Sequence, residues 1–199
     1  MKLRIGITGN IGSGKSSFSE FIEEFGYPVL YADDISKEIL SSDSEVKSAI
    51  IKLFGAQSYK GEKVNNSYIA SIAFSDQRKL KKLNSILHPK VKLKIVELSE
   101  NLFKTGDIIF VEAALIYESK IEKMFDHIVL ITASVKNRML RSTKGKQITE
   151  KDFVNRENNQ IKQDLKKSKA DFTFSNDGTR NDLKRKAELL IKILESKIQ

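Results

Sequence analysis

Eight residues near the start of the chain have the types and spacing of a phosphate-binding loop. Residues 9–16 read Gly-Asn-Ile-Gly-Ser-Gly-Lys-Ser, which fits the pattern G-x-x-x-x-G-K-[ST]. The glycines allow successive backbone N–H groups to converge on phosphate oxygens, and the N-terminus of a following helix favours an anion. In such a loop Lys15 reaches the β- and γ-phosphates and the Ser16 hydroxyl binds Mg²⁺. The sequence therefore predicts a nucleoside triphosphate site, with a plain glycine turn as the alternative.

Five short apolar runs predict the strands that position this loop. Helical patterns separate them, which is typical of a parallel sheet covered by helices on both faces. We therefore expect an α/β, three-layer P-loop NTPase fold with a five-stranded parallel sheet. The predicted strands are Leu3–Thr8, Pro28–Ala32, Ile108–Glu112, His127–Thr132 and Asp171–Phe174.

Two further segments are expected to be insertions in a single P-loop domain that spans residues 1–199. Residues 43–105 show no convincing strand and predict a helical insertion. Residues 138–169 predict a lid, in which a helix through Arg141 is followed by a basic, glycine-containing loop at Ser142–Thr149 and then by a polar helix up to Lys169. Such a lid opens and closes over the site of phosphoryl transfer. The other predicted helices are Asp34–Leu40, Glu45–Phe54, Ser67–Phe74, Asp76–Leu87, Pro89–Lys104 and Arg180–Lys197.

The net charge of +9 is distributed unevenly over the 199 residues. Residues 134–170 hold eleven Lys and Arg against four Asp and Glu, and residues 77–94 hold seven basic residues and no acidic one. Two basic segments on an otherwise acidic chain suit a polyanionic small molecule, although single lysines of this kind commonly lie on solvated helix faces. The segments lack the interleaved aromatic residues of a nucleic-acid surface.

The composition also bears on the cellular location of the protein and on its partners. It holds no cysteine and no run of 18 apolar residues, and it begins without a basic and then apolar leader. We expect a cytoplasmic monomer whose partners are small molecules, with no membrane or nucleic-acid partner.

Carboxylates follow two of the predicted strands, at the edge where an open parallel sheet binds ligands. Asp33 follows the second strand and could take a proton from an acceptor hydroxyl during phosphoryl transfer. It could equally cap the next helix. Glu112 ends the third strand, where P-loop enzymes often keep a carboxylate for Mg²⁺. A structural ion pair with a lysine is its alternative.

Three other side chains are candidates for substrate contact. Arg138 and Arg141 lie three residues apart, on one helix face at the base of the predicted lid. The planar guanidinium donates two parallel hydrogen bonds to phosphate, so either could neutralise the transferring group, unless both form surface ion pairs. His88 precedes Pro89 between two predicted helices, where a cap or packing role is the alternative to a functional one.

The order of these motifs resembles the dephospho-coenzyme A kinase family. The resemblance extends from Ile5 to about Gly178, and it rests on several marks besides the loop. They are Ala32-Asp33-Asp34-Ile35, Phe54-Gly55, Ile86-Leu87-His88-Pro89, Leu115-Ile116-Tyr117-Glu118, Arg138 with Arg141, Arg156 with Gln160, Ala170-Asp171 and Asn176-Asp177-Gly178.

The resemblance implies that ATP phosphorylates the 3′-hydroxyl of the dephospho-CoA ribose, which is the last step of coenzyme A synthesis. It implies catalytic roles for Lys15, Asp33 and Arg141, with Asp33 as the base, and Mg²⁺ at Ser16 and Glu112. The ATP contacts it implies are Ile11, Gly12, Ser13, Gly14, Lys15, Ser16, Ser17, Arg138 and Asn176. It also implies that the helical insertion at residues 43–105 binds the acceptor substrate. The dephospho-CoA contacts it implies are Asp33, Lys37, His88, Arg156 and Gln160.

Some positions depart from the family pattern, and two other functions stay open. Glu112 stands where the family has Asp, Ala114 where it has Pro, Ser17 where it has Thr, and Lys37 and Asn66 where it has Arg. A kinase of another nucleotide or nucleoside would keep the loop but change the acceptor pocket. A nucleotide-switch protein is the other alternative, although the guanine-binding motif N-K-x-D does not occur.

Overall fold

The structure is a computed structural model, and it describes residues 1–146 and 148–198. In chain order the strands are β1 (Leu3–Thr8), β2 (Val29–Tyr31), β3 (Tyr59–Lys60), β4 (Lys63–Val64), β5 (Ile108–Glu112), β6 (His127–Thr132) and β7 (Phe172–Ser175). The α-helices are α1 (Lys15–Glu24), α2 (Ala32–Ser42), α3 (Ser44–Phe54), α4 (Asn66–Ser75), α5 (Gln77–Leu102), α6 (Val135–Lys146), α7 (Glu150–Asn158), α8 (Gln163–Lys167) and α9 (Arg180–Ile198). Short 3₁₀ turns lie at Ala56–Ser58 and Glu122–Met124.

The chain divides into two compact units. One is Met1–Tyr31 with Leu98–Gln199, and the other is Ala32–Glu97. The predicted helical insertion at residues 43–105 overlaps most of the second unit, which begins earlier, at the first residue of α2.

The first unit contains the predicted parallel sheet. Its strand order is β2-β5-β1-β6-β7, and all neighbours are parallel. Three strands have the predicted bounds, β2 is one residue shorter at each end, and β7 is shifted by one residue. The predicted α/β fold with a five-stranded parallel sheet is therefore confirmed.

Both faces of the sheet bury apolar side chains, so the sequences of its central strands are continuously apolar instead of alternating between apolar and polar residues. Ile5, Ile7 and Phe110 join the core that packs against α1 and α9, while Ile109 and Val111 are fully buried as well. A parallel sheet covered on both faces buries every position of its central strands.

The second unit differs from the prediction of helices alone. β3 and β4 form a short antiparallel hairpin, and Gly61 at its turn has a φ of 62°, which glycine adopts without strain. The Tyr59 hydroxyl donates to the carbonyl of Leu40 at 2.8 Å and fixes the hairpin on the end of α2. Strands of two residues are too short to give an alternating pattern, so the sequence did not reveal them.

The two predicted helices on either side of His88 are one continuous helix, α5. Pro89 lies inside it, although proline usually ends a helix because it lacks an N–H group. Leu87 and Ile95, eight residues apart on one face, are both buried. The apolar stripe thus continues across the proline and keeps the helix intact.

The lid segment also has more helix than predicted. α6 continues through Lys146, so most of the expected loop at Ser142–Thr149 is helical, and Gln147 lies outside the described residues. The polar helix expected up to Lys169 is two helices, α7 and α8. A capping box in which Thr149 and Asp152 bond reciprocally starts α7.

None of the helices within the described ranges is long and apolar enough to span a bilayer.

Candidate active site

The glycine loop leads from β1 into α1 with two residues in left-handed conformations. Gly12 has a φ of 75° and Gly14 a φ of 92°, which residues with a Cβ rarely adopt. The N–H of Ser13 donates to the carbonyl of Asn10 at 3.0 Å and closes a turn. Among the described residues, no side chain caps the first turn of α1. The N-terminus of this helix is therefore open to an anion.

The same glycines let other elements approach the loop closely. A Cβ on Gly12 would meet the carbonyl oxygen of Arg138 and the hydroxyl of Ser142, both on α6. A Cβ on Gly14 would meet the side-chain nitrogen of Asn176, just after β7. The loop is therefore packed against residues far along the chain, which restricts its conformation.

We expect Gly14→Ala to weaken both folding and ATP binding. Its left-handed φ costs an alanine about 1–2 kcal/mol, and the Cβ also displaces Asn176 from the loop. Gly26→Ala is a matched control, because Gly26 also has a positive φ, of 88°. Apart from its two chain neighbours, no described residue has an atom within 4 Å of the position that its Cβ would take. Thermal melts and ATP titrations should show lost stability in both variants and lost affinity in Gly14→Ala alone. Equal ATP affinity in the two variants would contradict this account.

Lys15 and Glu112 form an ion pair at the carboxyl edge of the sheet. The Lys15 Nζ lies 3.4 Å from Glu112 Oε1, and Glu112 is only 6% exposed. The β-sheet register places Glu112 beside Ile7 and Tyr31, which are close to the ends of β1 and β2. The lysine that could pair with Glu112 is thus the loop lysine itself.

Arg138, a candidate phosphate contact in the sequence, is buried and bonded to protein groups. It is 1% exposed, and its Nη1 and Nη2 donate to both carboxylate oxygens of Glu157 at 2.5 and 2.7 Å. Its Nε donates to the carbonyl of Ala133 at 3.1 Å, and Nη1 also lies 3.4 Å from the carbonyl of Ile11. This arrangement makes Arg138 part of the support of the loop.

Arg141 and Asn176 form a second support. Arg141 Nη2 donates to the backbone carbonyl of Asn176 at 2.6 Å, and Asn176 Nδ2 donates to the carbonyl of Ser13 at 2.8 Å. The Nη1 of Arg141 is buried and has no hydrogen-bond partner among the described residues. Arg141 therefore keeps donor capacity for an anion, whereas the Asn176 side chain is occupied by the loop backbone.

A segment that we call the strap, residues 157–166, bonds to the beginning of the loop. Gln160 Oε1 accepts from the backbone N–H of Ile11 at 2.9 Å, and the carbonyl of Ile161 accepts from Asn10 Nδ2 at 3.2 Å. Gln160 was expected at the dephospho-CoA and is found at the phosphate loop. Arg156, expected with it, is half-buried in α7 just before the strap.

The strap also carries a buried ion pair that sequence reasoning missed. Lys166 is fully buried, and its Nζ lies 2.8 Å from Glu118 Oε1. The same oxygen accepts from the N–H of Ile161 at 2.8 Å. No local sequence pattern indicates these roles for Asn10, Glu157 and Lys166, because the partner of each lies far away in the sequence.

Asp33, Lys37 and His88 belong to the second unit. Asp33 lies in the first turn of α2, which begins at Ala32, so it does not precede the helix as a cap would. A hydrogen bond from Lys37 to Asp34 at 2.6 Å raises the pKa of Lys37. Burial lowers the pKa of His88, which is half-buried within α5.

The donor set at the loop fits a magnesium nucleotide better than a metal held by protein alone. In the described part of the chain, no group of three or more His, Cys, Asp and Glu could hold a metal ion. Glu112 Oε2 is buried and has no hydrogen-bond partner in the residues that the structure describes, and Ser16 follows Lys15 in the first turn of α1. Mg²⁺ typically takes one or two protein ligands and completes its shell with phosphate oxygens and water.

We expect Asp177 to add stability that disappears in acid. The Ser134 N–H and the Asn137 side chain each donate to it at 2.8 Å, and these bonds lower the pKa of Asp177 to about 2. A lowered pKa stabilises the fold above the unfolded value of about 4, and this contribution declines as the pH falls toward 2. Chemical unfolding should give a higher free energy of unfolding for the parent protein than for Asp177→Asn at pH 6. This difference in free energy should become smaller at pH 3. Asp164→Asn, at an exposed site on α8, is the control; a difference independent of pH would contradict the expectation.

The family follows from the likeness of this chain to known proteins. The family model for dephospho-CoA kinase matches residues 3–182. The chain belongs to the dephospho-CoA kinase family. It is 35% identical to the dephospho-CoA kinase of Fusobacterium nucleatum over 191 residues, covering 92% of this chain and 94% of that one. It is 32% identical to that of Salinibacter ruber over 185 residues, covering 92% and 93%.

Similar solved structures share the fold of this chain, and one of them is a dephospho-CoA kinase. A dephospho-CoA kinase from Campylobacter jejuni superposes with a TM-score of 0.74 at 25% identity, over all of both chains. A protein from Thermus thermophilus gives a TM-score of 0.82 at 27% identity over 97% of this chain and 98% of that one. A shikimate kinase from Acinetobacter baumannii, at 17% identity and a TM-score of 0.52, shares the fold alone. The chain is thus a dephospho-CoA kinase family member, a phosphotransferase that acts on a hydroxyl group with ATP as co-substrate.

Proposed function

We propose that the chain transfers the γ-phosphoryl group of ATP to the 3′-hydroxyl of dephospho-CoA. The observation that carries this proposal is the family match over residues 3–182, in a chain whose loop lysine is held beside a buried carboxylate. This reaction would also explain the two basic segments, because one substrate carries a triphosphate group and the other a pyrophosphate group, and both attract positive charge.

On the ATP side, the loop provides the phosphate contacts. The backbone N–H groups of residue 12 and residues 14–17, at the N-terminus of α1, would bind the phosphate oxygens, and Lys15 would reach the β- and γ-phosphates. Ile11 and Ser13 would shape the ATP site, since their N–H groups donate to Gln160 and to the carbonyl of Asn10. Ser16 and Glu112 would hold Mg²⁺, directly or through its water. When bound there, Mg²⁺ would neutralise the charge that develops on the phosphate oxygens.

On the acceptor side, Asp33 would act as the general base. It would take the proton from the 3′-hydroxyl as that oxygen bonds to the γ-phosphorus and the bond to the ADP oxygen breaks. Asp33 comes two residues after Tyr31, the end of β2, whose register partner is Glu112. Its position just beyond the carboxyl end of this strand supports the role. Lys37, His88 and Arg156 would contact dephospho-CoA.

Of the two lid arginines, Arg141 would face the transferring phosphoryl group. Its buried Nη1 has donor capacity left within the described structure, and a permanent planar cation suits the charge of that group. Arg138 would act on ATP through the loop, because Glu157 and two backbone carbonyls occupy its guanidinium. Asn176 would shape the ATP site through the Ser13 carbonyl.

The proposal is tested by measuring ADP release with ATP–Mg²⁺ as donor and a panel of acceptors. Dephospho-CoA is compared with AMP, CMP, adenosine and no acceptor, and mass spectrometry identifies the product. Transfer to dephospho-CoA at least about 100-fold above the others is expected. Preference for another acceptor would favour a different nucleotide or nucleoside kinase, and hydrolysis independent of acceptor would favour a nucleotide switch. A cytoplasmic location and a monomeric state remain part of this proposal.

A further inference from the structure

The strap, residues 157–166, bonds to loops that follow three different strands of the sheet. Gln160 accepts from Ile11 after β1, and Lys166 Nζ lies 3.4 Å from the carbonyl of Ala114 after β5. Gln163 Oε1 accepts from the N–H of Ala133 after β6 at 3.2 Å. The strap thus crosses the edge of the sheet that carries the phosphate loop.

Glu157 is the charged residue through which the strap holds that loop. Its carboxylate accepts two parallel hydrogen bonds from Arg138, and Asn10 Nδ2 lies 3.4 Å from the same carboxylate. Burial alone would raise the pKa of Glu157, but the bonds and charge of Arg138 outweigh it and lower that pKa. Glu157 therefore stays ionised, and its pair with Arg138 persists, through the neutral range.

The pair also reaches the loop backbone. Arg138 Nη1 lies 3.4 Å from the carbonyl of Ile11, and the Arg138 carbonyl is so close to Gly12 that a Cβ there would clash with it. Side chain and main chain of one residue thus border the first half of the loop on two sides. A shift of Arg138 would be transmitted to the N–H groups that face phosphate.

The Arg138–Glu157 pair joins a buried arginine to a carboxylate whose side chain is 25% exposed, and such a largely buried ion pair is weak evidence for stability as such. Breaking one by removing a single partner is strongly destabilising, whereas replacing both partners by apolar residues of similar size is often neutral. This asymmetry allows a positioning role to be separated from a merely structural one.

We propose that Glu157 is a positioning residue for phosphoryl transfer, which through Arg138 and Asn10 holds the first half of the phosphate loop in the geometry that binds ATP. The kinetic consequence rests on the proposed function, but the effect on ATP affinity does not. The side chain of Glu157 acts through its neighbours and would not itself contact the nucleotide.

The test measures ATP–Mg²⁺ affinity by calorimetry without acceptor, together with melting temperature, in three variants. Glu157→Gln should melt roughly 10 °C lower and bind ATP roughly 10- to 100-fold more weakly. Arg138→Met with Glu157→Met should recover most of the melting temperature while ATP affinity stays low. Glu188→Gln, which breaks an exposed pair with Lys192 on α9, is the control and should change neither quantity.

Recovery of ATP affinity together with stability in the double variant would overturn the proposal, because the pair would then be only structural. Normal ATP affinity in Glu157→Gln would overturn it as well. If the double variant does not fold, hydrogen exchange in Glu157→Gln decides: amides of residues 10–14 should exchange at least about tenfold faster, and unchanged protection there would refute the role. If the protein binds ATP but does not phosphorylate dephospho-CoA, the proposed function is refuted. The role of Glu157 in ATP affinity can still be tested in that case.

Discussion

Lys15→Ala should reduce phosphoryl transfer by at least about 1,000-fold. The lysine lies at the first position of α1, where a phosphate loop presents its cation to the β- and γ-phosphates. Loss of one preorganised donor to developing charge commonly costs about 100- to 1,000-fold in turnover, and this donor also carries a full charge. Single-turnover transfer from ATP to dephospho-CoA measures the loss directly.

Stability has to be measured beside this activity, because Lys15 also neutralises Glu112. Removing the ammonium leaves a buried carboxylate without its partner, and we expect about 1–3 kcal/mol of lost stability. Lys15→Arg serves as the matched control, since it keeps a cation beside Glu112. It should melt near the parent temperature and yet transfer poorly, because the guanidinium does not fit the point-charge geometry of the loop. Near-normal transfer by Lys15→Ala would refute the phosphate-loop account of this site.

Asp33→Asn should lower turnover by roughly 100- to 10,000-fold, the range that a positioned general base contributes. The amide keeps the size of the carboxylate but cannot accept the proton of the ribose hydroxyl. ATP affinity should change little, since the loop and its supports lie outside this helix. Steady-state kinetics with both substrates, and ATP titration, measure these two quantities separately.

Asp34→Asn is the matched control for the alternative, electrostatic role of Asp33. Both aspartates lie in the first turn of α2, so the interaction of each carboxylate with the helix dipole stabilises the helix by a similar amount. Asp34 is exposed and bonded to Lys37, and its replacement should leave turnover within about threefold. Equal losses of activity in the two variants, in step with equal losses of melting temperature, would assign Asp33 to helix stability and leave the base unidentified.

Local patterns determined much of the fold in advance. The phosphate loop, the strands β1, β5 and β6 and the terminal helix follow from residue types within a few positions, because apolar runs and glycine conformations act locally. The order of short motifs also indicated the family. The prediction of a helix end at Pro89 was wrong, because α5 continues through the proline. The β3–β4 hairpin was not predicted, because strands of two residues are too short to show an alternating pattern.

The sequence by itself thus determined that this protein has a phosphate loop at the edge of a parallel sheet, within a kinase of the dephospho-CoA family. Only the tertiary structure decided which charges meet there. Lys15 pairs with Glu112, which is far away along the chain, and Arg138, expected at phosphate, is held by Glu157 from the next helix. Such pairs depend on how the helices pack against the sheet, and neither residue type nor local spacing specifies the partner that packing brings within hydrogen-bond distance.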